Sequence, residues 1–314
     1  MRRAQLNLET FLAVMLLTGC CVTVATAQDQ NAFPSPAAAS SALFSAVQSN
    51  DERAILNILG PEAGRIVSSG DDTEDANDRA TFVRRYKEMH RLVREPDGST
   101  MLYIGARNWP MPIPLVMSGQ SWRFDTEAGK QEILYRRVGA NEISTIRICQ
   151  ALVAAQKEYY AMQHSRYAEQ FFSDAGQENG LYWQPIAGQP KSPIGPLVAS
   201  AVAAGYRRPV GGTPSPYRGY LYRILTGQGR NAPGGAKSYL RNGKMTAGFA
   251  FLAYPAEYRS SGVMTFMVGA DGVVHEKDLG RGTEVLARAM KAYDPDSSWR
   301  HSEAEQEKAA RQDR

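Results

Sequence analysis

The sequence is poor in the residues that build disulfide frameworks and metal sites. Its 314 residues include only three cysteines and four histidines. Cys20 and Cys21 fall in an apolar N-terminal stretch, so Cys149 is the only thiol further along the chain. One thiol cannot form an intramolecular disulfide. The histidines stand at positions 90, 164, 275 and 301, without the spacing of a zinc site. We therefore expect no disulfide, no bound metal and no cofactor.

Three other signatures are also missing. No Gly-x-Ser-x-Gly elbow of a serine hydrolase occurs. The glycine-rich residues 227–238 lack the adjacent Gly-Lys-Ser of a phosphate-binding loop, because Ala236 intervenes, and we interpret them as a surface loop. Basic residues exceed acidic ones by only four, and no Lys/Arg block is interleaved with aromatic residues. Nucleic-acid binding is therefore not indicated.

The strongest hydrophobic segment lies at the N terminus. Residues 1–27 combine Arg2 and Arg3 with an apolar stretch from Phe11 and the small residues Ala25-Thr26-Ala27. This is the pattern of a cleaved secretory signal peptide. No second hydrophobic span follows, so we expect a periplasmic or secreted protein without a transmembrane segment. Cleavage removes two arginines and one glutamate, which changes the formal net charge from +4 to +3.

A second processing route is compatible with the same segment. Leu17-Thr18-Gly19-Cys20 fits a lipobox, in which Cys20 is acylated and becomes the mature N terminus. The protein would then be anchored to the envelope by lipid. The two routes predict different mature N termini, Gln28 for the first and Cys20 for the second.

Residues 33–137 predict a small α+β module. Ser35 or Ser40 is suited to cap a first helix, and acidic residues open a later one that we expect to end at the turn Pro96-Asp97-Gly98. Strand periodicity follows, with a second turn at Ser118-Gly119-Gln120. Helices followed by an antiparallel hairpin are typical of an α+β fold.

Residues 141–293 predict a second α+β module. From Asn141, a suitable N-cap, apolar residues recur at three- and four-residue steps to about Ser165, with Cys149 among them as a core residue. Strand-like runs follow at 219–225, 248–254 and 263–268, and a turn at residues 269–272 leads into 273–275. We expect one long helix packed on an antiparallel sheet. The charged tail, residues 300–314, is expected to be disordered.

Six short motifs, spread over most of the chain, point to one family. They are Phe33–Pro36, Trp109-Pro110 with Ile113–Val116, Trp122–Thr126, Arg137–Glu142, Gly262–Phe266 and Asp271–Val274. Through them the chain resembles a family of exported bacterial proteins, domain-of-unknown-function family 2950. The resemblance implies export and this fold, and it implies no activity.

Residues 141–280 also resemble the globular part of type IV pilins and pseudopilins. The similar features are a helix opened by Asn141-Glu142, the pair Tyr159-Tyr160 inside it, a Gly-rich loop, and a meander that ends in the turn Asp271-Gly272. Pilins pack one long helix against such a sheet. A pilin helix continues from an N-terminal hydrophobic span, whereas here another module precedes the helix. We therefore do not expect a filament subunit.

Aromatic residues cluster around the irregular Gly/Pro-rich region between the predicted long helix and the predicted sheet. They are Tyr182, Trp183, Tyr217, Tyr220 and Tyr222. Tyr and Trp beside Gly-rich loops are typical of recognition surfaces, although they also serve to cover the edges of a sheet. We interpret them as residues that bind an envelope protein or a glycan. The sequence then predicts an exported, non-catalytic binding or assembly protein.

The alternative is an extracytoplasmic hydrolase of cell-wall or glycan material. Its candidate acid and base are His275 with Glu257 or Asp278. Strand alternation places His275 and Lys277 on one face and Glu276 and Asp278 on the other. A hydrolase needs its acid and base in one pocket. A charged strand end that protects a sheet edge is the competing interpretation.

Overall fold

A computed structural model of the protein describes residues 30–163, 165–188, 190–208 and 214–302. The predicted signal peptide, Cys20 and residues 303–314 of the predicted tail lie outside these ranges. Within them, helices and antiparallel sheets combine as the predicted α+β fold.

Seven α-helices occur in the described ranges. They are α1 (Pro36–Gln48), α2 (Glu52–Leu59), α3 (Gly64–Val67), α4 (Asp72–Glu88), α5 (Thr126–Met162), α6 (Gly195–Ala203) and α7 (Thr283–Ala289). Ser35, Asp51 and Asp71 cap α1, α2 and α4, each accepting a hydrogen bond from the backbone N–H three residues further on. Of the two predicted caps for the first helix, Ser35 is the one used.

The same ranges contain fifteen strands, several of them two residues long. They are β1 (His90–Arg94), β2 (Thr100–Ile104), β3 (Trp109–Pro110), β4 (Leu115–Ser118), β5 (Ser121–Phe124), β6 (Tyr220–Leu225), β7 (Gly227–Gln228), β8 (Lys237–Ser238), β9 (Leu240–Arg241), β10 (Lys244–Met245), β11 (Ala250–Pro255), β12 (Met264–Gly269), β13 (Val274–Asp278), β14 (Ala292–Tyr293) and β15 (Arg300–His301). Four of the longer strands, β6, β11, β12 and β13, confirm the strand-like runs of the second half.

The first half of the chain forms a sheet in the order β1-β2-β4-β5, with β3 on β2. Helices α1, α2 and α4 close over it around one hydrophobic cluster that includes Leu43, Ile55 and Leu102. The expectation that α4 continues to Pro96 was wrong. The helix ends at Glu88, because the next residues pair with β2 along their whole length and form β1.

Helix α5 is continuous over 37 residues and spans about 55 Å at the usual rise per residue. It begins at Thr126, well before the predicted start at Asn141, because Asp125 caps it directly after β5. Asn141 lies inside the helix and donates a hydrogen bond from its Nδ2 to the carbonyl of Ser261 (3.0 Å). Ile133 of the helix packs against the hydrophobic cluster of the first half, and its residues Ile146 and Leu152 belong to the cluster of the second half.

The second half is built on the antiparallel sheet β6-β11-β12-β13-β15. Helix α5 covers one face, where the Tyr222 hydroxyl lies 3.3 Å from Thr145 Oγ1. The next residue, Arg223, points to the other face and donates to carbonyls at the end of α7. The start of the predicted disordered tail is ordered, because Arg300 and His301 pair with β13.

Candidate functional site

The five aromatic residues selected from the sequence have different surroundings. Trp183 is only 6% exposed, and its indole Nε1 donates to the carbonyl of Pro190 (3.1 Å). Tyr220 is fully buried, and its hydroxyl donates to the carbonyl of Met264 (3.0 Å). Tyr182 is half-buried and packs edge-on against Phe172. Buried rings offer no contact surface, so Trp183 and Tyr220 belong to the core.

Tyr217 and Tyr222 line a cavity of about 600 Å³, which we call the α6 cavity. The cavity lies between α5, α6 and three described irregular stretches, residues 170–174, 206–208 and 214–217. Its volume falls within the range of about 300–1,000 Å³ that is usual for ligand sites. Two of the predicted residues therefore meet in one concavity.

The walls of the α6 cavity are mainly apolar. Ile148 and Leu152 of α5 line the cavity, together with Leu197 and Val198 of α6. Helix α6, with the sequence GPLVASAVA, has no polar face, yet none of its residues is fully buried and Val202 is 61% exposed. A helix that is apolar all round is normally buried. Its incomplete burial leaves apolar surface along the edge of the cavity.

Basic side chains lie at the rim of the α6 cavity. Arg207 and Arg208 are both exposed, while Asp174 contributes one opposing charge. The Arg208 Nη2 donates to the carbonyl of Ser173 (2.8 Å), and its guanidinium lies 5.3 Å from the centroid of the Phe172 ring. These contacts fix the guanidinium in place, which favours recognition of an anion.

A buried hydrogen-bond network fixes the remaining wall. The Tyr206 hydroxyl lies 2.9 Å from Asp71 Oδ2 and 3.0 Å from Glu74 Oε2, and it accepts a hydrogen bond from the Arg218 N–H (3.1 Å). Asp71 Oδ2 also accepts from the Gly219 N–H (2.9 Å). Burial raises the pKa of Tyr206, so the hydroxyl stays protonated as a donor. We call Asp71, Glu74, Tyr206 and Arg218 the latch, because it joins α4 to the second half of the chain.

The tyrosines predicted from the sequence, Tyr217 and Tyr222, form only part of the lining of the α6 cavity. Tyr206, Phe171 and Arg208 line the same cavity and were not selected from the sequence. The available signal was two doubled pairs, Phe171-Phe172 and Arg207-Arg208, within the same Gly/Pro-rich region.

The candidate pair His275 and Asp278 do not face one another. His275 and Asp278 point to opposite faces of β13 and are separated by about 10 Å along the strand. The His275 Nδ1 lies 3.3 Å from the Tyr293 hydroxyl, and burial, followed by the charge of His301, lowers the pKa of His275. Neither His275 nor Asp278 is among the described residues that line the α6 cavity.

The two carboxylates have separate surroundings as well. Asp278 Oδ2 accepts a hydrogen bond from the Tyr258 hydroxyl (3.2 Å), and its Oδ1 accepts from the Gly280 N–H (2.7 Å). Glu257 is exposed in the turn after β11. Neither carboxylate is among the described residues that line the α6 cavity.

The lone thiol further along the chain, Cys149, is a core residue. Cys149 is fully buried in α5, and burial raises the pKa of its thiol to about 12, which disfavours the reactive thiolate.

Within the described residues, no group of three or more His, Cys, Asp or Glu side chains could hold a metal ion. The helices in these ranges include none that is long and apolar enough to cross a membrane.

One comparison with known proteins gives a match. The family model described as protein of unknown function, DUF2950, matches residues 30–302. Neither the curated proteins nor the solved structures include a significant match. The resemblance to pilins thus stays a prediction from the sequence.

Proposed function

We propose a function from the α6 cavity itself, because the chain belongs to the DUF2950 family, whose description assigns no activity. The protein is a non-catalytic binding protein for a small amphiphile with an apolar chain and an acidic head group. The observation that carries this proposal is an apolar cavity of about 600 Å³ with Arg207 and Arg208 at its rim. An apolar interior with a few convergent polar groups is the usual form of a ligand site.

The apolar walls set the expected dependence on chain length. Aliphatic side chains of α5 and α6 line the cavity, together with the Phe171 ring. Burial of one methylene group contributes about 0.8 kcal/mol, which corresponds to about fourfold in affinity. Dodecanoate should therefore bind much more tightly than octanoate as long as the added methylenes remain inside.

The rim sets the expected preference for charge. Two arginines against the single Asp174 give the rim a net positive charge. Arg208 is already held by Ser173 and Phe172, so little freedom is lost when it binds a carboxylate. A hydrogen bond to a charged group contributes about 1.5–3 kcal/mol, which corresponds to roughly tenfold to hundredfold in affinity.

Competition against a fluorescent dansyl fatty acid tests the proposal. Dodecanoate should displace the probe, and dodecylamine, with the same chain and the opposite charge, should compete at least tenfold less well. The double variant Arg207→Gln/Arg208→Gln should lose this preference, whereas Arg241→Gln, an exposed arginine of β9, should retain it. Equal competition by the two compounds, or none by either, would refute the proposal.

We also propose that this function is carried out outside the cytoplasm, in the periplasm or after secretion. The support is the signal-peptide pattern of residues 1–27, with Cys20 offering lipidation as the second route. The intact mass of the processed protein distinguishes the two. Loss of residues 1–27 without added mass indicates the first route, and a diacylated Cys20 indicates the second.

A further inference from the structure

A second cavity, of about 410 Å³, lies between α4 and the first half of α5, and we call it the α4 cavity. Its inner walls are apolar, with Ile66, Phe82, Met111 and Ile133 among the lining residues. Among the described residues, none lines both this cavity and the α6 cavity. The α4 cavity is therefore a separate site, and a ligand bound there does not depend on the function proposed above.

Two charged side chains of α4, Asp75 and Arg79, line this cavity, and each has a buried atom without a hydrogen-bond partner in the described part of the chain. Asp75 is only 4% exposed; its Oδ2 accepts a hydrogen bond from the Ser69 N–H (2.9 Å), while its Oδ1 is buried without a partner in the described part of the chain. One helical turn further on, the Nε of Arg79 is also buried without a partner there. Buried polar atoms are normally hydrogen-bonded, and an unpaired charged group is especially unfavourable.

Other charged groups around the cavity already have partners. Glu74 accepts from Tyr206 and pairs with Arg218 (3.3 Å) as part of the latch. Arg137 donates to two backbone carbonyls of α3 and lies 3.9 Å from Asp78. The described walls of the cavity therefore lack two polar groups. One is a donor for Asp75 Oδ1, and the other is an acceptor for Arg79 Nε.

The adjacent carboxylate and guanidinium define the chemistry of a ligand that would satisfy both. Residues four apart on a helix lie on the same face, so Asp75 and Arg79 project side by side. An α-amino acid carries an ammonium and a carboxylate group on one carbon atom, with the side chain as a third substituent. We infer that the α4 cavity binds a free α-amino acid with a large apolar side chain. The ammonium donates to Asp75 Oδ1, the carboxylate accepts from Arg79, and the side chain packs against Phe82 and Met111.

The three parts of the ligand can be removed one at a time. In isothermal titration calorimetry of the full chain at neutral pH, phenylalanine should bind. N-acetylphenylalanine lacks the ammonium, phenylalaninamide lacks the carboxylate and alanine lacks the large side chain, so each should bind at least tenfold more weakly. Absence of phenylalanine binding would overturn the inference. Equal binding of phenylalanine and any one of the three derivatives would also overturn it.

Matched variants on α4 separate recognition from folding. Asp75→Asn keeps an oxygen that can accept from the Ser69 N–H but removes the charge, and Arg79→Gln removes the guanidinium. Each should weaken phenylalanine binding at least tenfold. Asp72→Asn and Arg84→Gln change exposed residues of the same helix and should leave binding unchanged.

Stability must be followed in the same variants, because Asp75 is buried. Far-UV circular dichroism and the unfolding midpoint establish which variants are folded. A folded Asp75→Asn or Arg79→Gln protein with unchanged phenylalanine affinity contradicts the inference. If either variant fails to fold, the derivative series on the wild-type protein still decides, since it requires no substitution. Dodecanoate binding at the α6 cavity is scored separately, so failure of one site is distinguished from failure of the other.

Discussion

Replacing Tyr206 by phenylalanine removes a single oxygen atom from the latch between the two halves of the chain. That hydroxyl lies 2.9 Å from Asp71 Oδ2 and 3.0 Å from Glu74 Oε2, and it accepts from the Arg218 N–H (3.1 Å). Phenylalanine retains the ring and its edge-on contact with Tyr217, with ring centroids 4.9 Å apart. The substitution therefore tests the hydrogen bonds with little change in packing.

The size of the effect follows from the number of bonds lost. The hydroxyl has one proton, so it donates to only one of the two carboxylates at a time. A hydrogen bond to a charged group contributes about 1.5–3 kcal/mol, and a buried donor left without an acceptor costs about 1–3 kcal/mol. Asp71 Oδ2 keeps the hydrogen bond from the Gly219 N–H, which limits the loss. We expect Tyr206→Phe to lower the free energy of unfolding by about 3 kcal/mol.

Urea unfolding followed by circular dichroism measures this loss. Tyr135→Phe is the matched control, because Tyr135 is 78% exposed and its substitution should change stability by less than about 0.5 kcal/mol. If Tyr206→Phe also stays within about 0.5 kcal/mol of the wild type, the latch does not stabilise the fold and the reasoning fails.

Three further predictions concern α5 and β13. Gly129→Ala sets a methyl group against the backbone of Pro112 and should lower the unfolding free energy in urea by about 1–3 kcal/mol. Gly139→Ala places its new Cβ more than 4 Å from any atom beyond the adjacent residues and the helix's own backbone, and should raise the unfolding free energy by about 0.5–1 kcal/mol. Equal effects of the two substitutions would contradict the close contact between Gly129 and Pro112. The Cys149 thiol, with its pKa raised to about 12, should react with DTNB only after unfolding; rapid reaction of the native protein would place it at the surface. Burial lowers the pKa of His275 below 6.5, so the unfolded chain binds its proton more readily and stability should fall as the pH drops below 6.5. His275→Gln should show a shallower decline in urea titrations at several pH values, and an unchanged slope would exclude this role.

Local patterns were enough to predict most of the second sheet. The runs that became β6, β11, β12 and β13 carry strand-forming residues between turn signals, and Gly272 at the predicted turn has a φ of +82° that favours glycine. The short strand β1 was missed, because its sequence HRLVR follows a helix directly and has no turn signal before it. Pairing with β2 decides its conformation, and pairing is not a local property.

The start of α5 was predicted too late because Gly139-Ala140-Asn141 has the composition of a helix end followed by an N-cap. A glycine in a helix costs only about 1 kcal/mol relative to alanine, and tertiary contacts outweigh that. Arg137, two residues earlier, donates to the carbonyls of Arg65 and Ile66 and holds the helix against α3. Such contacts, 71 and 72 residues apart in sequence, leave no local pattern.

The candidate site was predicted in part for a similar reason. Tyr220 and Tyr222 stand two residues apart on one face of β6, and their sequence contexts are alike. Tyr220 is nevertheless fully buried, with its hydroxyl bound to Met264, whereas Tyr222 is half-buried at the α6 cavity. Which tyrosine faces the cavity depends on where α6 and the following segment pack. The hydrogen bond between Asp71 and Tyr206 joins residues 135 apart in sequence, so no local sequence pattern predicts it either.

The two halves of the chain are joined in a way that does not resemble a hinge. Hinges absorb their motion in a few loop or terminal residues with little packing across them. Here α5 passes from one hydrophobic cluster to the other without a break. The Glu142 Oε1 accepts hydrogen bonds from the backbone N–H groups of Val263 and Met264 (both 2.9 Å), which ties the middle of the helix to the start of β12.

The latch also joins a residue that lines one cavity to a residue that lines the other. Tyr206 lines the α6 cavity, Glu74 lines the α4 cavity, and one hydrogen bond of 3.0 Å joins them. The described lining residues of the α4 cavity all lie before residue 142 and those of the α6 cavity all lie after residue 147, so each cavity is lined by one half of the chain, and α5 and the latch join the two halves.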